Sequence, residues 1–293
     1  MGRVQTGSRN WGAKVEMAAI RIPGFVFTRR LDRILPRAVK AEGVWIEDET
    51  GQKILDACGG AIVVNVGHGR LEIAEAVYEQ MRKFSYVHGN VFTSEPVEAL
   101  AERLARHAPN ELNRFYFMCS GSEAIETAVK LARQIQLERG RPSRMRLISR
   151  WKSYHGLTLG ALAASGRTYF REPFTPLLPE VVHIHPPYCL RCSYGLMYPS
   201  CALRCASALE DTILSMGADT VFACLIEPVS GAALGVSPPP PGYLGLIRDI
   251  CDRYEILLIF DEVMVGMGRT GKWFACQHEG VTPDLMTLGK GLT

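Results

Sequence analysis

Five short apolar segments of the sequence each run directly into small, aromatic, acidic or basic residues. In a parallel sheet the carboxyl ends of the strands share one edge, and ligands bind in the crevice beyond it. If the segments are strands of one sheet, these polar residues meet at that C-terminal edge. They are Ser120-Gly121-Ser122-Glu123, Ser153-Tyr154-His155-Gly156, Glu227-Pro228, Asp261-Glu262 and Gly289-Lys290.

The residues at this predicted edge match the chemical needs of pyridoxal 5'-phosphate (PLP). A phosphate binds backbone N–H groups at a helix N-terminus, and Ser120-Gly121-Ser122 precedes a helical pattern and permits close approach at its glycine. A carboxylate keeps a pyridine nitrogen protonated, and Asp261 ends a buried strand. Tyr154 can stack on the ring. Lys290 can condense with the aldehyde as a nucleophile and, once a substrate amine displaces it, act as a general base.

These segments resemble the class III aminotransferases, a fold type I family of PLP enzymes that includes ω-amino acid, acetylornithine and γ-aminobutyrate transaminases. The most specific match runs from Phe260 to Lys290, because the family places its pyridine-binding aspartate in an Asp-Glu-Val sequence upstream of the Schiff-base lysine. Here 29 residues (290 − 261) separate Asp261 from Lys290. The resemblance covers residues 25–293, and its other matches are Glu42-Gly43-Val44-Trp45, Asn65–Gly69, Ser120–Arg133, Tyr154-His155-Gly156 and Glu227-Pro228-Val229.

The resemblance implies a role for each residue of the site. Gly121 and Ser122 would bind the phosphate, and Tyr154 would stack on the ring. Val263 would pack against the other face of the ring, and Glu227 would lie near its phenolic edge. The resemblance also implies transfer of an amino group from an amine or an ω-/α-amino acid to a 2-oxo acid such as pyruvate or 2-oxoglutarate. It further implies a homodimer.

Other interpretations of the same residues stay open at the level of the sequence. His155 either holds its own loop by hydrogen bonding or takes part directly in catalysis. The same lysine and ring contacts also serve an aminomutase or a decarboxylase. Gly266–Gly271 matches a dinucleotide-binding fingerprint in form, but it neither closes directly on its strand nor opens a helical pattern. A non-catalytic fragment that binds PLP or zinc is a further alternative.

Four cysteines lie in a loop rich in glycine, proline and tyrosine, at a spacing close to that of zinc ligands. We favour reduced structural thiols, because the family that the sequence resembles needs no metal, and a zinc site is the alternative. The odd total of nine cysteines, mostly in apolar segments, indicates a reducing compartment. The four are Cys189, Cys192, Cys201 and Cys205.

The composition is that of an ordinary globular protein. Of the 293 residues, 47% are hydrophobic and 22% are charged. The net charge of +3 comes with no long basic run, so we expect no nucleic-acid partner. No apolar stretch reaches the roughly 18 residues that a membrane span needs, and we predict a cytoplasmic protein without a membrane partner.

Short apolar runs alternate with helical patterns, which predicts an α/β fold with a mostly parallel sheet between helices. Helical stripes fall within residues 73–84, 97–104 and 244–254. The segment Ala41–Asp56 predicts a hairpin outside the sheet, in an N-terminal segment that contributes to a small domain. The predicted strands are Phe115–Cys119, Arg146–Ser149, Val181–Ile184, Val221–Ile226, Ile256–Phe260 and Leu285–Leu288.

The predicted domains follow from the same patterns. We expect residues 1–24 to be a variable arm, with Met1 or Met17 as the start, and residues 25–90 to form the N-terminal part. Residues 91–293 would form a large PLP-binding domain that is incomplete. The family that the sequence resembles continues beyond its lysine into a C-terminal small domain, which is absent here. We therefore expect a chain of these 293 residues alone to be inactive or nearly so.

Overall fold

A computed structural model describes residues 24–28, 32–109 and 112–292. The predicted variable arm, residues 1–24, falls outside the described residues except for its last position. The chain divides into two compact units, one with the described residues up to Ala57 and Gly67–Arg70, the other with residues 58–66 and everything from Leu71 onward. The predicted boundary between residues 90 and 91 stays a prediction.

The first unit contains a three-stranded antiparallel sheet. Two of its strands form the predicted hairpin, whose turn is held by the Asp48 carboxylate: Oδ1 accepts from the backbone N–H groups of Thr50 at 2.9 Å and Gln52 at 3.0 Å. A further strand, which the sequence analysis did not predict, pairs with the first hairpin strand. The strands are β1 (Ala38–Glu42), β2 (Trp45–Asp48) and β3 (Lys53–Leu55).

The second unit contains a five-stranded sheet in which every neighbouring pair is parallel. Its central strands are buried throughout, which explains why they appear in the sequence as continuous apolar runs rather than as an alternation. The order is β5-β4-β6-β7-β8, so the predicted α/β class with a parallel sheet is confirmed. The strands are β4 (Arg146–Arg150), β5 (Val182–Ile184), β6 (Val221–Ile226), β7 (Leu257–Asp261) and β8 (Leu285–Thr287).

Helices cover both faces of this sheet. Alternate residues of β7 pack on opposite faces of the sheet. Leu258 and Phe260 pack in the cluster that contains residues of α7 and α8. Leu257 and Ile259 pack in the cluster that contains residues of α4 and α5. The helices of the second unit are α1 (Gly59–Ile62), α2 (Leu71–Lys83), α3 (Glu95–Ala105), α4 (Gly121–Glu138), α5 (Leu159–Ala164), α6 (Thr168–Arg171), α7 (Arg204–Met216) and α8 (Tyr243–Arg253). Five short 3₁₀ segments join them: Glu172–Leu177, Cys189–Arg191, Ala218–Thr220, Ala275–His278 and Lys290–Leu292.

One predicted strand is wrong. Phe115–Cys119 has no strand assignment, and within the described ranges no strand pairs with it. A strand needs a neighbour for its backbone hydrogen bonds, however favourable its residues are. Tyr116 is 78% exposed, which fits a segment that has no neighbour in this sheet.

The three predicted helical stripes do form helices, but only one of them is buried. The stripe of α8 is in the core, with Leu244, Ile247 and Ile250 all at most 2% exposed. In contrast, α2 buries no residue, although its spacing is equally regular. Within the described residues, no helix combines the length and apolar composition needed to cross a bilayer.

Candidate active site

A cavity of about 1040 Å³ lies where the carboxyl ends of the strands of the second unit meet. The register of β7 and β8 pairs Asp261 with Thr287, so Lys290 follows three residues beyond the partner of Asp261. Every residue that the sequence analysis predicted for the cofactor site lines this one cavity. These residues are Ser120, Gly121, Ser122, Tyr154, His155, Glu227, Asp261, Val263 and Lys290.

The N-terminus of α4 forms one wall of the cavity. Ser120 is the N-cap residue, and its Oγ accepts from the backbone N–H of Glu123 at 3.2 Å. The Glu123 carboxylate in turn accepts from the N–H of Cys119 at 2.9 Å, a reciprocal capping arrangement. The N–H groups of Gly121 and Ser122 have no acceptor in the described part of the chain. These two remaining N–H groups at the helix start can bind an anion.

Val263 lies between the start of α4 and the turn before Lys290. A Cβ added to Gly121 would meet Val263 Cγ1 at 3.0 Å, and a Cβ added to Gly289 would meet the same atom at 3.2 Å. Val263 can therefore lie this close to Gly121 and Gly289 because neither residue has a side chain. The valine side chain thus sets the spacing between the helix start and the lysine turn.

Asp261 has a partner at both of its carboxylate oxygens. Its Oδ2 lies 2.8 Å from His155 Nδ1, and its Oδ1 accepts from Val263 N at 3.0 Å and from Thr287 Oγ1 at 3.3 Å. The carboxylate is only 5% exposed. His155 Nε2 lies 3.3 Å from Ser149 Oγ, so the imidazole bridges β4 and β7. The imidazole of His155 therefore orients Asp261. The backbone N–H of His155 donates to Ser165 Oγ.

Glu227 is a buried carboxyl group that lines the cavity. The residue is 4% exposed, and Oε1 accepts from the backbone N–H of Gly231 at 3.2 Å. Oε2 is buried without a hydrogen-bond partner among the described residues. Burial raises the pKa of this carboxyl, and the charges of His155 and Arg150 oppose the rise. A buried acid with one free oxygen suits a polar ligand that fills the cavity.

Tyr154 and Lys290 complete the wall of the cavity. The Tyr154 ring lies 6.1 Å from the ring of Phe170, centroid to centroid, and both side chains are half-buried. Lys290 begins the last 3₁₀ segment with a φ of 48°, a left-handed conformation that is unusual for a lysine. Strained residues of this kind concentrate at functional sites.

Glu262 has a different environment from its neighbour Asp261. It is fully buried, and its two carboxylate oxygens accept from the backbone N–H groups of Ala275 and Cys276, each at 2.8 Å. Burial raises the pKa of this carboxyl too, while these two hydrogen bonds oppose the rise. Its role is to hold the 3₁₀ segment Ala275–His278 rather than to line the cavity.

Three residues of the site were missed by the sequence analysis: Ser149, Arg150 and Thr287. Ser149 and Arg150 are the last two residues of β4, and Thr287 is the last residue of β8. A signal was present, because a polar residue at the buried carboxyl end of a strand has to find a partner. Ser149 and Thr287 lie inside predicted strands, and Arg150 is the residue directly after one, so the local pattern assigns no further role to any of them.

The alternative interpretations find no support in these contacts. Gly266–Gly271 forms turns and is followed by a 3₁₀ segment instead of the helix that a dinucleotide site requires. Among the described residues, no three His, Cys, Asp or Glu side chains gather in a metal-binding arrangement. In the four-cysteine loop, burial raises the pKa of Cys205 to about 11, and the charges of the other three thiols add to the rise.

The groups on the cavity fit the chemistry of PLP. The start of α4 offers N–H groups to a phosphate, Asp261 offers a carboxylate to a pyridine nitrogen, and Glu227, which has one unpaired oxygen, lines the same cavity. Tyr154 offers an aromatic ring, and Lys290 offers the amine that an aldehyde needs.

Comparisons with known proteins agree with this chemistry. The family model "Aminotransferase class-III" matches residues 26–293. The chain is 42% identical to "Probable aminotransferase Rv3329" of Mycobacterium tuberculosis, covering 88% of this chain and 55% of the relative. It is 39% identical to the putrescine–pyruvate aminotransferase of Pseudomonas aeruginosa, covering 93% of this chain and 60% of that enzyme.

A solved structure shares the fold. The chain superposes on an (S)-enantioselective ω-transaminase from Thermomicrobium roseum with a TM-score of 0.83 and 41% identity, over 88% of this chain and 57% of the other. The chain thus spans a little over half the length of these relatives. On the family match and these identities, the chain belongs to the class III aminotransferase family of fold type I.

Proposed function

We propose that this protein uses PLP to transfer an amino group from an amine or an ω-/α-amino acid to a 2-oxo acid. The observation that carries the proposal is that the nine residues predicted for the cofactor site line one cavity. Its relatives are named as aminotransferases, which supports the same reaction class for this chain. PLP, when bound, supplies an electron sink for the bonds at the substrate Cα.

Asp261 is the proposed partner of the pyridine nitrogen. A carboxylate beside that nitrogen keeps the nitrogen protonated. The hydrogen bonds from His155, Val263 and Thr287 fix both oxygens of Asp261, so the carboxylate cannot turn away from the cavity. His155 acts here as a positioning residue.

The start of α4 is the proposed phosphate site. Gly121 and Ser122 donate their backbone N–H groups, and the helix dipole adds attraction for the negative charge. Ser122 Oγ also accepts from the N–H of Leu157 at 3.2 Å, which ties the helix start to the loop that carries Tyr154. Tyr154 and Val263 are proposed to cover the two faces of the ring.

Lys290 is the proposed nucleophile and proton carrier. Its amine would hold the cofactor through the aldehyde and, once released by a substrate amine, would carry a proton from the substrate Cα to the cofactor carbon C4′. The position of Lys290 three residues after the end of β8 supports this role, because Thr287 at that end pairs with Asp261 and Lys290 lines the same cavity.

The substrates, the assembly and the location of the protein are parts of the same proposal. A relative named for putrescine and pyruvate supports an amine donor and a 2-oxo acid acceptor. A homodimer is supported by exposed apolar side chains that a second copy can cover, such as Val77 and Met81 on α2 and the neighbouring Val91 and Phe92. We place the protein in the cytoplasm.

The proposal can be tested by finding which lysine PLP binds. The purified chain is incubated with PLP, reduced with borohydride and digested, and the labelled peptide is identified by mass spectrometry. We expect the label on Lys290, no label in Lys290→Ala, and an unchanged label in Lys272→Ala, because Lys272 is exposed and does not line the cavity. A label elsewhere, or one that survives Lys290→Ala, would contradict the assignment.

The transfer itself needs a second measurement. The measurement uses a PLP-loaded protein that carries these residues at the full length of the relatives, because the 293 residues alone are expected to have little activity. After an amine donor is added, we expect pyridoxamine 5'-phosphate to form, and pyruvate to convert it back to PLP with release of alanine. Both products are measured by liquid chromatography. Loss of carbon dioxide from the donor, or a donor whose amino group has only moved within the molecule, would identify a different PLP reaction.

A further inference from the structure

Arg150 is a buried cation that the proposed chemistry does not use. Its side chain is among the largest that are fully buried, with 1% exposure. No carboxylate lies within salt-bridge distance of it in the described part of the chain, and its Nε has no hydrogen-bond partner there. Buried charges are normally paired because leaving water is costly for them. The position of this guanidinium therefore calls for a functional explanation.

The contacts of Arg150 converge on the turn that carries Glu227. Nη2 donates to the backbone oxygen of Glu227 at 2.5 Å and lies 3.4 Å from Ser230 Oγ. The guanidinium also lies over the ring of Tyr243, 5.9 Å from its centroid, which stabilises the cation in an otherwise apolar surrounding. β4 and β6 are neighbours in the sheet, so Arg150 reaches across from the end of one strand to the residue after the other.

The turn that carries Glu227 is also held by other contacts. Ser230 and Ser237 exchange two backbone hydrogen bonds, and the N–H of Gly231 binds Glu227 Oε1. A Cβ on Gly231 would come within 2.3 Å of Met264 Sδ, so the turn packs closely against the segment after β7. With the backbone oxygen of Glu227 held by Arg150 and Oε1 held by Gly231, the carboxyl group has a defined position in the wall of the cavity.

We propose that Arg150 is a positioning residue for Glu227: its guanidinium holds the Glu227–Ser230 turn and sets the place and charge of the carboxyl group that faces the cofactor. The contact between Glu227 and PLP rests on the proposed function. The contact between Arg150 and Glu227 does not, since the distances above involve only the protein.

The charge of Arg150 has a second effect on Glu227. Burial and the charge of Asp261 raise the pKa of this carboxyl, while the charges of His155 and Arg150 and the hydrogen bond from the Gly231 backbone lower it. Loss of the positive charge at position 150 removes one of the three groups that oppose the rise. The carboxyl should then keep its proton to higher pH.

The test follows the titration of Glu227 in the protein without PLP. Infrared difference spectra are recorded over a pH series, and the protonated carboxyl band is assigned to Glu227 by its loss in Glu227→Gln. We expect the midpoint to move to higher pH in Arg150→Gln, and to stay near that of the natural protein in Arg150→Lys, which keeps the charge. Tyr243→Phe is the matched control, because it alters the same pocket without touching the guanidinium contacts to the turn.

PLP affinity provides the second readout. Both Arg150→Gln and Arg150→Lys lose the fixed donor to Glu227, so we expect each to bind PLP about tenfold more weakly, as expected for one hydrogen bond to a buried group. Tyr243→Phe should bind normally. If Arg150→Gln fails to fold, the PLP affinity of Arg150→Lys still tests whether Arg150 positions Glu227.

Two outcomes overturn the proposal: a folded Arg150→Gln with the titration and affinity of Tyr243→Phe, or an Arg150→Lys with full affinity. Failure of the proposed function has a different signature. In that case the natural protein does not bind PLP at Lys290, while the pH midpoint of Glu227 still responds to Arg150.

Discussion

Asp261 Oδ2 and His155 Nδ1 lie 2.8 Å apart in a part of the cavity where both side chains are almost fully buried. Asp261 is the last residue of β7, and His155 lies in the loop between β4 and α5. The contact therefore joins the carboxylate proposed for the pyridine nitrogen to the loop that carries Tyr154. Whatever binds in the cavity finds both of these groups already in place.

Removing the carboxylate should destabilise the protein even without PLP. In Asp261→Ala the buried imidazole of His155 and the N–H of Val263 lose their acceptor, which costs about 1–3 kcal/mol for each buried group left unpaired. We expect a correspondingly lower free energy of unfolding in urea. Thr287→Val removes only the 3.3 Å contact to Oδ1 and should cost less. Equal stability of Asp261→Ala and the natural protein would contradict the network described above.

The packing of Val263 against the start of α4 can be tested by a double-mutant cycle. In Gly121→Ala the new Cβ meets Val263 Cγ1 at 3.0 Å, so we expect a loss of about 1–3 kcal/mol in stability and weaker PLP binding. Val263→Ala removes the obstacle, and the double variant should recover part of the stability lost in Gly121→Ala. Unfolding in urea and PLP titration measure both effects.

Gly245 provides the matched control for this cycle. It lies in α8, and a Cβ at this position meets no atom within 4 Å. Gly245→Ala should therefore stabilise the protein by about 0.5–1 kcal/mol, because alanine loses less backbone freedom in a helix. If Gly121→Ala changes the stability in the same way as Gly245→Ala, Val263 does not pack closely against Gly121.

Much of the candidate site could be predicted because one rule of topology applies to it. The carboxyl ends of parallel strands share an edge, so the residues after β4, β6, β7 and β8 were expected together, and they do line one cavity. The pairing of Asp261 with Thr287 is the register that brings Lys290 close to this group. The spacing of residues along the sequence was enough to predict these positions, because the strands are short and continuous.

Contacts between distant segments were not predictable in the same way. Arg150 ends β4, in which every residue after the exposed Arg146 is buried. Its guanidinium reaches the backbone oxygen of Glu227 only because β6 is the neighbouring strand. Phe115–Cys119 shows the opposite case. Its composition favours a strand, but pairing depends on a neighbour, which a local pattern cannot reveal.

Glu227→Gln should change how stability depends on pH. Burial raises the pKa of Glu227, so its carboxyl favours folding fully below the ordinary glutamate value of about 4.3 and loses this contribution as pH rises through the higher folded value. Glutamine carries no charge at any pH. We expect Glu227→Gln to gain stability relative to the natural protein as pH rises above that range, measured by urea unfolding from pH 4 to 8.

Glu210 offers a control of opposite sign. Hydrogen bonds from Tyr254 and Arg253 lower the pKa of this exposed carboxyl, so its contribution is present above the ordinary value and is lost as pH falls. Glu210→Gln should therefore lose stability relative to the natural protein near neutral pH, and the loss should shrink toward acid. If the stability of both variants follows the same trend with pH, burial does not control the pKa of Glu227.

The four-cysteine loop leads to a prediction about metal. Zinc needs several ligands around one point, and among the described residues no three His, Cys, Asp or Glu side chains gather in this way. Burial also raises the pKa of the Cys205 thiol to about 11, so a thiolate there is costly. Burial also raises the pKa of Cys189. We expect metal analysis of the purified protein to find far less than one zinc per chain. A chelator should leave the unfolding temperature unchanged, and Cys189→Ser should unfold like the natural protein. One zinc per chain that is lost in Cys189→Ser, with a lower unfolding temperature after chelation, would instead establish a structural metal site in this loop.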